Sequence, residues 1–142
     1  MTASAAQLGY GTLFEVETAA GSGTYFTLGE VTNVPPPNFK VDQVEVTHMT
    51  SPNRTKEFIS GLGDPGDMTL ELNWIPGGTT DQFVIAWRSS GETRSSRITY
   101  PGGVVKDTFG SFVLGFQPTV TVADKMSASL NLKVAGAVTR TP

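Results

Sequence analysis

The residues that could carry acid–base or nucleophilic chemistry are few. The 142-residue chain contains a single histidine and no cysteine. His48 could pair with a carboxylate such as Glu45 or Glu57, but catalysis also needs a nucleophile within reach, and no serine lies in a G-x-S-x-G turn. Without HxxxH spacing or thiolates, a metal site is not expected either. We interpret His48 as a residue that makes a local hydrogen bond, and we predict no enzyme, no metal and no cofactor.

The acidic and glycine-rich motifs are typical of turns. GDPGD, which contains Asp64 and Asp67, lacks the dense D-x-D-x-D pattern and the closing glutamate of a calcium loop. GYG, GSG and GLGDPG lack the lysine or the helix context of phosphate-binding loops. With 10 basic and 13 acidic residues and a net charge of −3, the chain has no basic surface for binding nucleic acid.

The length and the N-terminal sequence bound the domain count and the compartment. A chain of 142 residues fits one domain, and we expect residues 1–142 to form it, with residues 1–11 as a flexible arm. MTASAAQLGYGTLFEVET has neither the positive n-region nor the apolar core of a signal peptide. No stretch approaches the about 20 apolar residues of a membrane helix. We therefore expect assembly in the cytoplasm and no membrane partner.

Strands dominate the elements that must position these residues. In DMTLELNW, every second residue from Met68 to Trp74 is apolar, which is the period of a half-buried strand. KMSASLNLKVAGAVT at 125–139 alternates in the same way. A change of phase between FKV at 39–41 and VEV at 44–46 predicts a bulge near Asp42 and Gln43. PPP at 35–37 ends strand pairing, and further strands are predicted at 12–18, 24–34, 93–101 and 107–122.

One helix is predicted at about residues 80–90. Thr79 or Thr80 can serve as the N-cap, Asp81 suits the positive end of the helix dipole, and Gly91 suits a left-handed C-terminal residue. Several strands and one helix indicate a mainly β fold, a β-sandwich or barrel-like domain with a flanking helix. The buried stripe of the helix is predicted to consist of Phe83, Ala86 and Trp87.

A long stretch at about residues 48–66 shows no clear regular structure, although TKEFIS within it is a possible short strand. Compact domains seldom carry so long a loop unless it has a function or is disordered. Phe58, Ile59 and Leu62 are apolar residues of this stretch without an obvious place in the core of a monomer. They predict a surface that is buried only on self-association.

The same stretch resembles the major tail tube proteins of long-tailed bacteriophages. The matching elements are EVTH at 45–48 followed by Ser51, then KEFISGL at 56–62, then Asp64 and Gly66. Upstream, YFTLGEVTNVPPPNF resembles the entry motif of that family, with three prolines in place of the usual glycine and proline. The resemblance is concentrated in residues 24–74.

This resemblance implies a small β-sandwich that assembles into sixfold rings, stacked as the hollow tail tube of a virion or of a related gene transfer agent. It implies further tail partners, namely the tape measure, terminator and distal tail proteins, and passage of DNA through the lumen without specific binding. The long loop would reach a neighbouring ring or subunit and would be mobile before assembly. The interface residues predicted in this assembly loop are His48, Met49, Ser51, Pro52, Arg54, Lys56, Glu57, Phe58, Ile59 and Leu62.

A channel for DNA should not bind DNA, so its wall should be polar, neutral or acidic. The polar phases of the predicted strands fit this requirement, with Lys133 as the exception. For each residue, ordinary exposure to solvent is the alternative. The candidate lumen-lining residues are Asp42, Glu45, Thr47, Glu71, Asn73, Ser127, Ser129 and Asn131.

Three alternatives remain open at the level of the sequence. A tube protein of a contractile injection or secretion system shares the fold and is the nearest rival. A virion-decorating or carbohydrate-binding β-sandwich would need an aromatic platform in its loops, which hold few aromatic residues besides Phe58 and Tyr100. A hydrolase or lyase on a jelly roll is disfavoured because His48 lacks partners.

Overall fold

Nine strands and one α-helix form the regular structure of residues 3–142, which are the residues that the computed structural model describes. Residues 1 and 2 of the predicted N-terminal arm lie outside this range, and residues 3–11 contain no strand or helix. The helix is α1 (Thr79–Ser90), and a 3₁₀ turn covers Pro52–Arg54. The strands are β1 (Leu13–Glu17), β2 (Tyr25–Thr27), β3 (Val31–Asn33), β4 (Lys40–Glu45), β5 (Phe58–Asp64), β6 (Asp67–Asn73), β7 (Arg94–Thr99), β8 (Lys106–Thr119) and β9 (Ser127–Thr141).

The strands form two antiparallel sheets. Seven of them form one sheet in the order β2-β1-β7-β8-β9-β6-β3, while β4 and β5 form a separate two-stranded sheet. Register shifts between Thr108 and Gly110 and between Val113 and Gly115 interrupt the long β8–β9 ladder and bend it. The predicted class, mainly β with one flanking helix, is confirmed, and the large sheet does not close into a barrel.

One buried cluster holds the large sheet together. It joins Phe14 of β1 with Leu70 of β6, Leu130 of β9 and Trp87 of α1. Since three strands separate β1 from β6 in the sheet, the sheet must curl around this cluster. The predicted alternation of β6 and β9 is confirmed: their buried residues are Met68, Leu70, Leu72, Ala128, Leu130, Leu132 and Val134.

The predicted strand at 24–34 is wrong in its extent. The chain forms β2 and β3 instead, and these lie at opposite edges of the seven-stranded sheet. The break falls at Gly29 and Glu30, where Glu30 has a left-handed φ of 54°. Thr80 Oγ1 of α1 accepts a hydrogen bond from Gly29 N at 2.9 Å. This hydrogen bond to helix α1 stabilises the turn at Gly29 and Glu30, so the strand does not continue through these residues.

Helix α1 has the predicted position but a different cap and stripe. Its N-cap is Gly78, without a side-chain hydrogen bond, so neither predicted threonine caps it. Gly91 is left-handed as predicted, with φ 67°. The buried residues are Val84 and Trp87, whereas Ala86 is exposed, because the helix presents the i, i+3 pair to the core and Phe83 packs beside it.

Candidate functional site

The hairpin of β4 and β5 projects from the body of the protein. Its two strands pair only with one another, and no extensive contact joins them to another strand or helix. The structure thus corrects the extent of the predicted irregular stretch, because its second half is the strand β5. TKEFIS marks where that strand begins, at Phe58 rather than at Thr55. A register shift between Val41 and Gln43 lies where the bulge was predicted, but its extra residue is in β5, so the predicted change of phase within β4 is wrong.

The extra residue of the bulge lies in β5, because Gly61 and Leu62 together oppose Asp42, so the two apolar phases of β4 stay on opposite faces of the hairpin. Val41 pairs with Gly63 and Val44 pairs with Ile59, and directly paired residues project to the same side of a ladder. Gly63 leaves room for an aromatic ring: a Cβ added there would lie 2.2 Å from Cζ of Phe39. Phe39 and Val41 therefore lie on one face of the hairpin, and Val44, Val46 and Ile59 lie on the other. We call the second face the apolar hairpin face; its three apolar side chains are between 38% and 56% exposed.

Further apolar side chains of the hairpin lie outside this face and are also uncovered. Phe58 pairs with Glu45 on the opposite face and is 47% exposed, while Leu62 is 86% exposed. Met49, at the tip, is fully exposed. The expectation that Phe58, Ile59 and Leu62 have no place in the core is confirmed.

The tip of the hairpin is organised by His48 and Glu57. His48 Nε2 lies 3.3 Å from Glu57 Oε2, which also accepts a hydrogen bond from Ser51 Oγ at 2.7 Å. Thr50 Oγ1 lies 3.0 Å from His48 Nδ1. His48 thus makes the predicted local hydrogen bonds. The remaining predicted interface residues of the tip, Met49, Pro52, Arg54 and Lys56, are exposed around this network.

The candidate lumen-lining residues fall into two groups. Asp42, Glu45 and Thr47 are exposed on the hairpin. The other five lie together on the surface of the large sheet that faces away from the core. There Glu71 pairs with Ser129, Asn73 with Ser127, and Thr69 with Asn131; on the other side of β9, Gln117 pairs with Ser129 and Thr119 with Ser127. We call this surface, formed by Thr69, Glu71, Asn73, Gln117, Thr119, Ser127, Ser129 and Asn131, the polar sheet face.

An ion-pair cluster that the sequence did not reveal lies at the base of the hairpin. Lys133 Nζ is 3.2 Å from Asp64 Oδ1 of β5 and 3.2 Å from Asp67 Oδ1 of β6. The backbone N–H of Gly66 and the Lys133 ammonium lower the pKa of Asp64, and the two carboxylates raise the pKa of Lys133. Lys133 therefore meets two opposite charges instead of leaving a free cation beside the polar sheet face.

A second unforeseen cluster surrounds Asp107 of β8, which is 2% exposed. The carboxylate accepts hydrogen bonds from Arg140 Nε at 2.8 Å and Tyr100 Oη at 2.6 Å. The Arg140 guanidinium holds the pKa of Asp107 below its usual value despite burial, and burial together with Asp107 raises the pKa of Tyr100 to about 12. All the ionisable groups here are paired, so the cluster fastens the end of β9.

Two general features of residues 3–142 bear on function. They contain no group of three or more histidine, aspartate or glutamate side chains arranged to hold a metal ion. None of the helices in this range has the length and apolar character needed to cross a membrane.

Comparison with known proteins identifies the family. The model of the lambda phage tail tube protein family matches residues 11–141, which is nearly the whole chain. The chain therefore belongs to the lambda phage tail tube protein family, and it is a structural protein of the virion tail. No curated protein sequence matches the chain significantly.

Solved structures share the fold at low sequence identity. The tail of an empty gene transfer agent particle, refined with C6 symmetry, has a TM-score of 0.78 and 20% identity over 96% of this chain and 100% of that chain. A sheath/tube terminator of the extracellular contractile injection system PVC has a TM-score of 0.73 and 13% identity over 99% and 100%. The SPP1 tail tube has a TM-score of 0.60 and 9% identity over 92% and 76%.

Proposed function

We propose that the chain assembles into hexameric rings that stack into a hollow tail tube, through which DNA is delivered. One observation carries the proposal: the apolar hairpin face is uncovered in a chain of the tail tube family. A two-stranded hairpin alone is marginally stable in water, and exposed apolar patches mark interaction sites. In a tube built from many copies, a second copy can bury this face. The C6 symmetry of the gene transfer agent tail, which has a similar fold, supports the ring order.

The energetics favour association through this face. Full burial of a Val, Ile or Phe side chain contributes about 1.5–3 kcal/mol. Covering the three half-exposed side chains of this face therefore supplies a few kcal/mol, before the ordering costs that association imposes. Since the hairpin is a projecting element, its contact surface differs from the body that receives it. Such a heterologous contact repeats from copy to copy, which suits rings and open-ended stacks.

The polar sheet face is proposed to line the lumen. Its side chains are hydroxyls and amides with one carboxylate, Glu71, and Lys133 at its border is held by Asp64 and Asp67. Such a wall offers DNA phosphates no cation to bind, because affinity for a polyanion comes from cations that neutralise phosphates. Asp42, Glu45 and Thr47 add polar groups on the hairpin. The tape measure, terminator and distal tail proteins are proposed as partners of the assembled tube.

The sheath/tube terminator structure of the contractile injection system PVC has a fold similar to that of this chain. The family match to a phage tail tube favours the phage or gene transfer agent setting for this chain. We therefore propose that residues 1–142 form one tail-tube domain with residues 48–66 as its assembly loop, which includes the strand β5.

Removal of the hairpin tests the proposed function. Lys40 and Asp64 are paired across its base, so Val41–Gly63 can be replaced by Asn-Gly without stretching the chain. We expect the wild-type protein to form hollow tubes in negative-stain electron microscopy. We expect the shortened protein to remain a folded monomer that unfolds cooperatively near the wild-type midpoint, because the hairpin adds little to the core. Tubes from the shortened protein would contradict the role of the hairpin, and a wild-type chain that stays monomeric at every concentration would contradict the tube.

A further inference from the structure

A cleft of about 190 Å³ lies at the end of β6 that is remote from the hairpin. Strand β6 begins at Asp67, beside the base of the hairpin, and ends at Asn73, beside the cleft. Seven residues of strand span roughly 20 Å. The hairpin and the cleft therefore occupy opposite ends of the body. The side chains of the cleft used below are those of Glu30, Asn73, Trp74, Ile75 and Asp81.

The cleft carries negative charge and an unpaired acceptor. Among residues 3–142, no lysine or arginine forms an ion pair with Glu30 or Asp81. Asp81 accepts hydrogen bonds from Trp74 Nε1 and Gly77 N and offsets the positive end of α1. The Glu30 carboxylate is approached by Asn73 Nδ2 at 3.5 Å, and Asn73 Oδ1 is buried without a partner in the described chain. Buried acceptors normally find donors, so this chemistry favours a cation with several N–H groups.

The tip of the hairpin carries the matching charge. Arg54 and Lys56 are exposed, and neither forms an ion pair within residues 3–142. In this described range, Glu30, Asn53 and Arg54 are the non-glycine residues with positive φ, between 54° and 57°. Strained backbone of this kind concentrates at sites of binding. Arginine also suits the cleft better than lysine, since its planar guanidinium donates in a fork to carboxylates and packs on indole rings.

We infer that Arg54 of one copy enters the cleft of the next copy, donates to Glu30 and packs against Trp74. The inference rests on the proposed function, because it names a contact between successive copies of the tube. Contact within one copy is excluded by placement, since the hairpin extends from the end of the body opposite to the cleft. Tip and cleft are different surfaces, so the contact repeats along an open-ended assembly.

Exchange of charge between the two surfaces tests this contact. Arg54→Glu and Glu30→Arg each place like charges across it, so each variant alone should raise the critical concentration for assembly by about tenfold or more. Lys56→Glu makes the same change of charge two residues away and should shift it by less than about threefold. An equimolar mixture of the two single variants, and the double variant, restore opposite charges and should assemble like the wild type. Sedimentation and electron microscopy measure assembly.

Two results would overturn the contact. If Arg54→Glu assembles at the same critical concentration as the wild type, the Arg54 contact is contradicted but the proposed tube function is not. A wild-type chain that never assembles contradicts both the contact and the proposed function. If Glu30→Arg does not fold, crosslinking through introduced cysteines tests the contact instead. The chain has no cysteine of its own, so only the introduced thiols react. Tubes that contain both Arg54→Cys and Ile75→Cys chains should give covalent dimers with a short bismaleimide, and Ser89→Cys in place of Arg54→Cys should not. Absence of the dimer in assembled tubes overturns the contact.

Discussion

Asp107 shows how a single buried carboxylate can fasten the end of a long strand. It receives Arg140 from the end of β9 and Tyr100 from the turn before β8. The stability that it contributes depends on its charge. Because its pKa is lowered in the folded chain, the carboxylate stabilises the fold above about pH 4, where it is also ionised in the unfolded chain, and loses this effect as the pH falls through the lowered pKa.

Asp107→Asn tests this role. At pH 7 we expect the variant to lose about 1–2 kcal/mol of unfolding free energy, because Arg140 and Tyr100 lose a charged acceptor for their hydrogen bonds while the exposed Arg140 guanidinium stays solvated. The loss should shrink below about pH 4, where the wild-type carboxylate becomes protonated first in the unfolded chain and then, as the pH falls through the lowered pKa, in the folded chain. Urea unfolding at several pH values measures both effects. Asp124→Asn, at an exposed loop position, is the control and should stay within about 0.5 kcal/mol of wild type. An equal deficit of Asp107→Asn at pH 7 and pH 3 would contradict the assignment.

Elements with a strict apolar period could be predicted from the sequence, and elements fixed by distant partners could not. The alternation of β6 and β9 follows from residues that each strand carries itself. The split between β2 and β3 depends on Thr80, about fifty residues away in the chain, which binds Gly29. Strand β5 contains Gly61 and Gly63 and so resembles a loop, although Gly63 serves to admit the ring of Phe39.

The same limit applies to the candidate site. The exposure of Phe58, Ile59 and Leu62 could be predicted, because they are apolar residues in a stretch that shows no regular pattern of a core element. Their distribution over the two faces of a hairpin required the pairing of β4 with β5. Lys133 was an isolated exception in the sequence, and only the approach of Asp64 and Asp67 explains how its charge is balanced.

Glu71→Lys tests the polar sheet face. Glu71 is exposed on β6, so the stability should change by no more than about 0.5 kcal/mol. In an assembled tube, the substitution adds a ring of cations to the proposed lumen. We expect such tubes to retain DNA at low salt and to release it as salt rises. Ser89→Lys, on α1 at the other side of the sheet, is the control and should leave DNA retention unchanged. Cosedimentation of DNA with tubes measures retention, and identical behaviour of Glu71→Lys and wild-type tubes would remove Glu71 from the lumen.

At the scale of the whole molecule, the chain consists of a well-packed domain and one projecting hairpin whose apolar side chains are exposed. The body has a continuous buried cluster and paired charges. The hairpin contributes no side chain to this buried cluster, and its apolar side chains are 38% exposed or more. In the proposed tube, self-association supplies the missing cover. The central claim is therefore that the apolar hairpin face becomes buried when copies assemble.

Thiol labelling tests this claim most directly, because the chain has no cysteine of its own. Val44→Cys places one thiol on the apolar hairpin face, and Gln43→Cys places one beside it on the opposite face. We predict that maleimide modifies Val44→Cys at least about tenfold more slowly in assembled tubes than in dissociated protein, with a smaller change for Gln43→Cys. Equal rates for Val44→Cys in the two states would contradict the claim that a second copy covers this face.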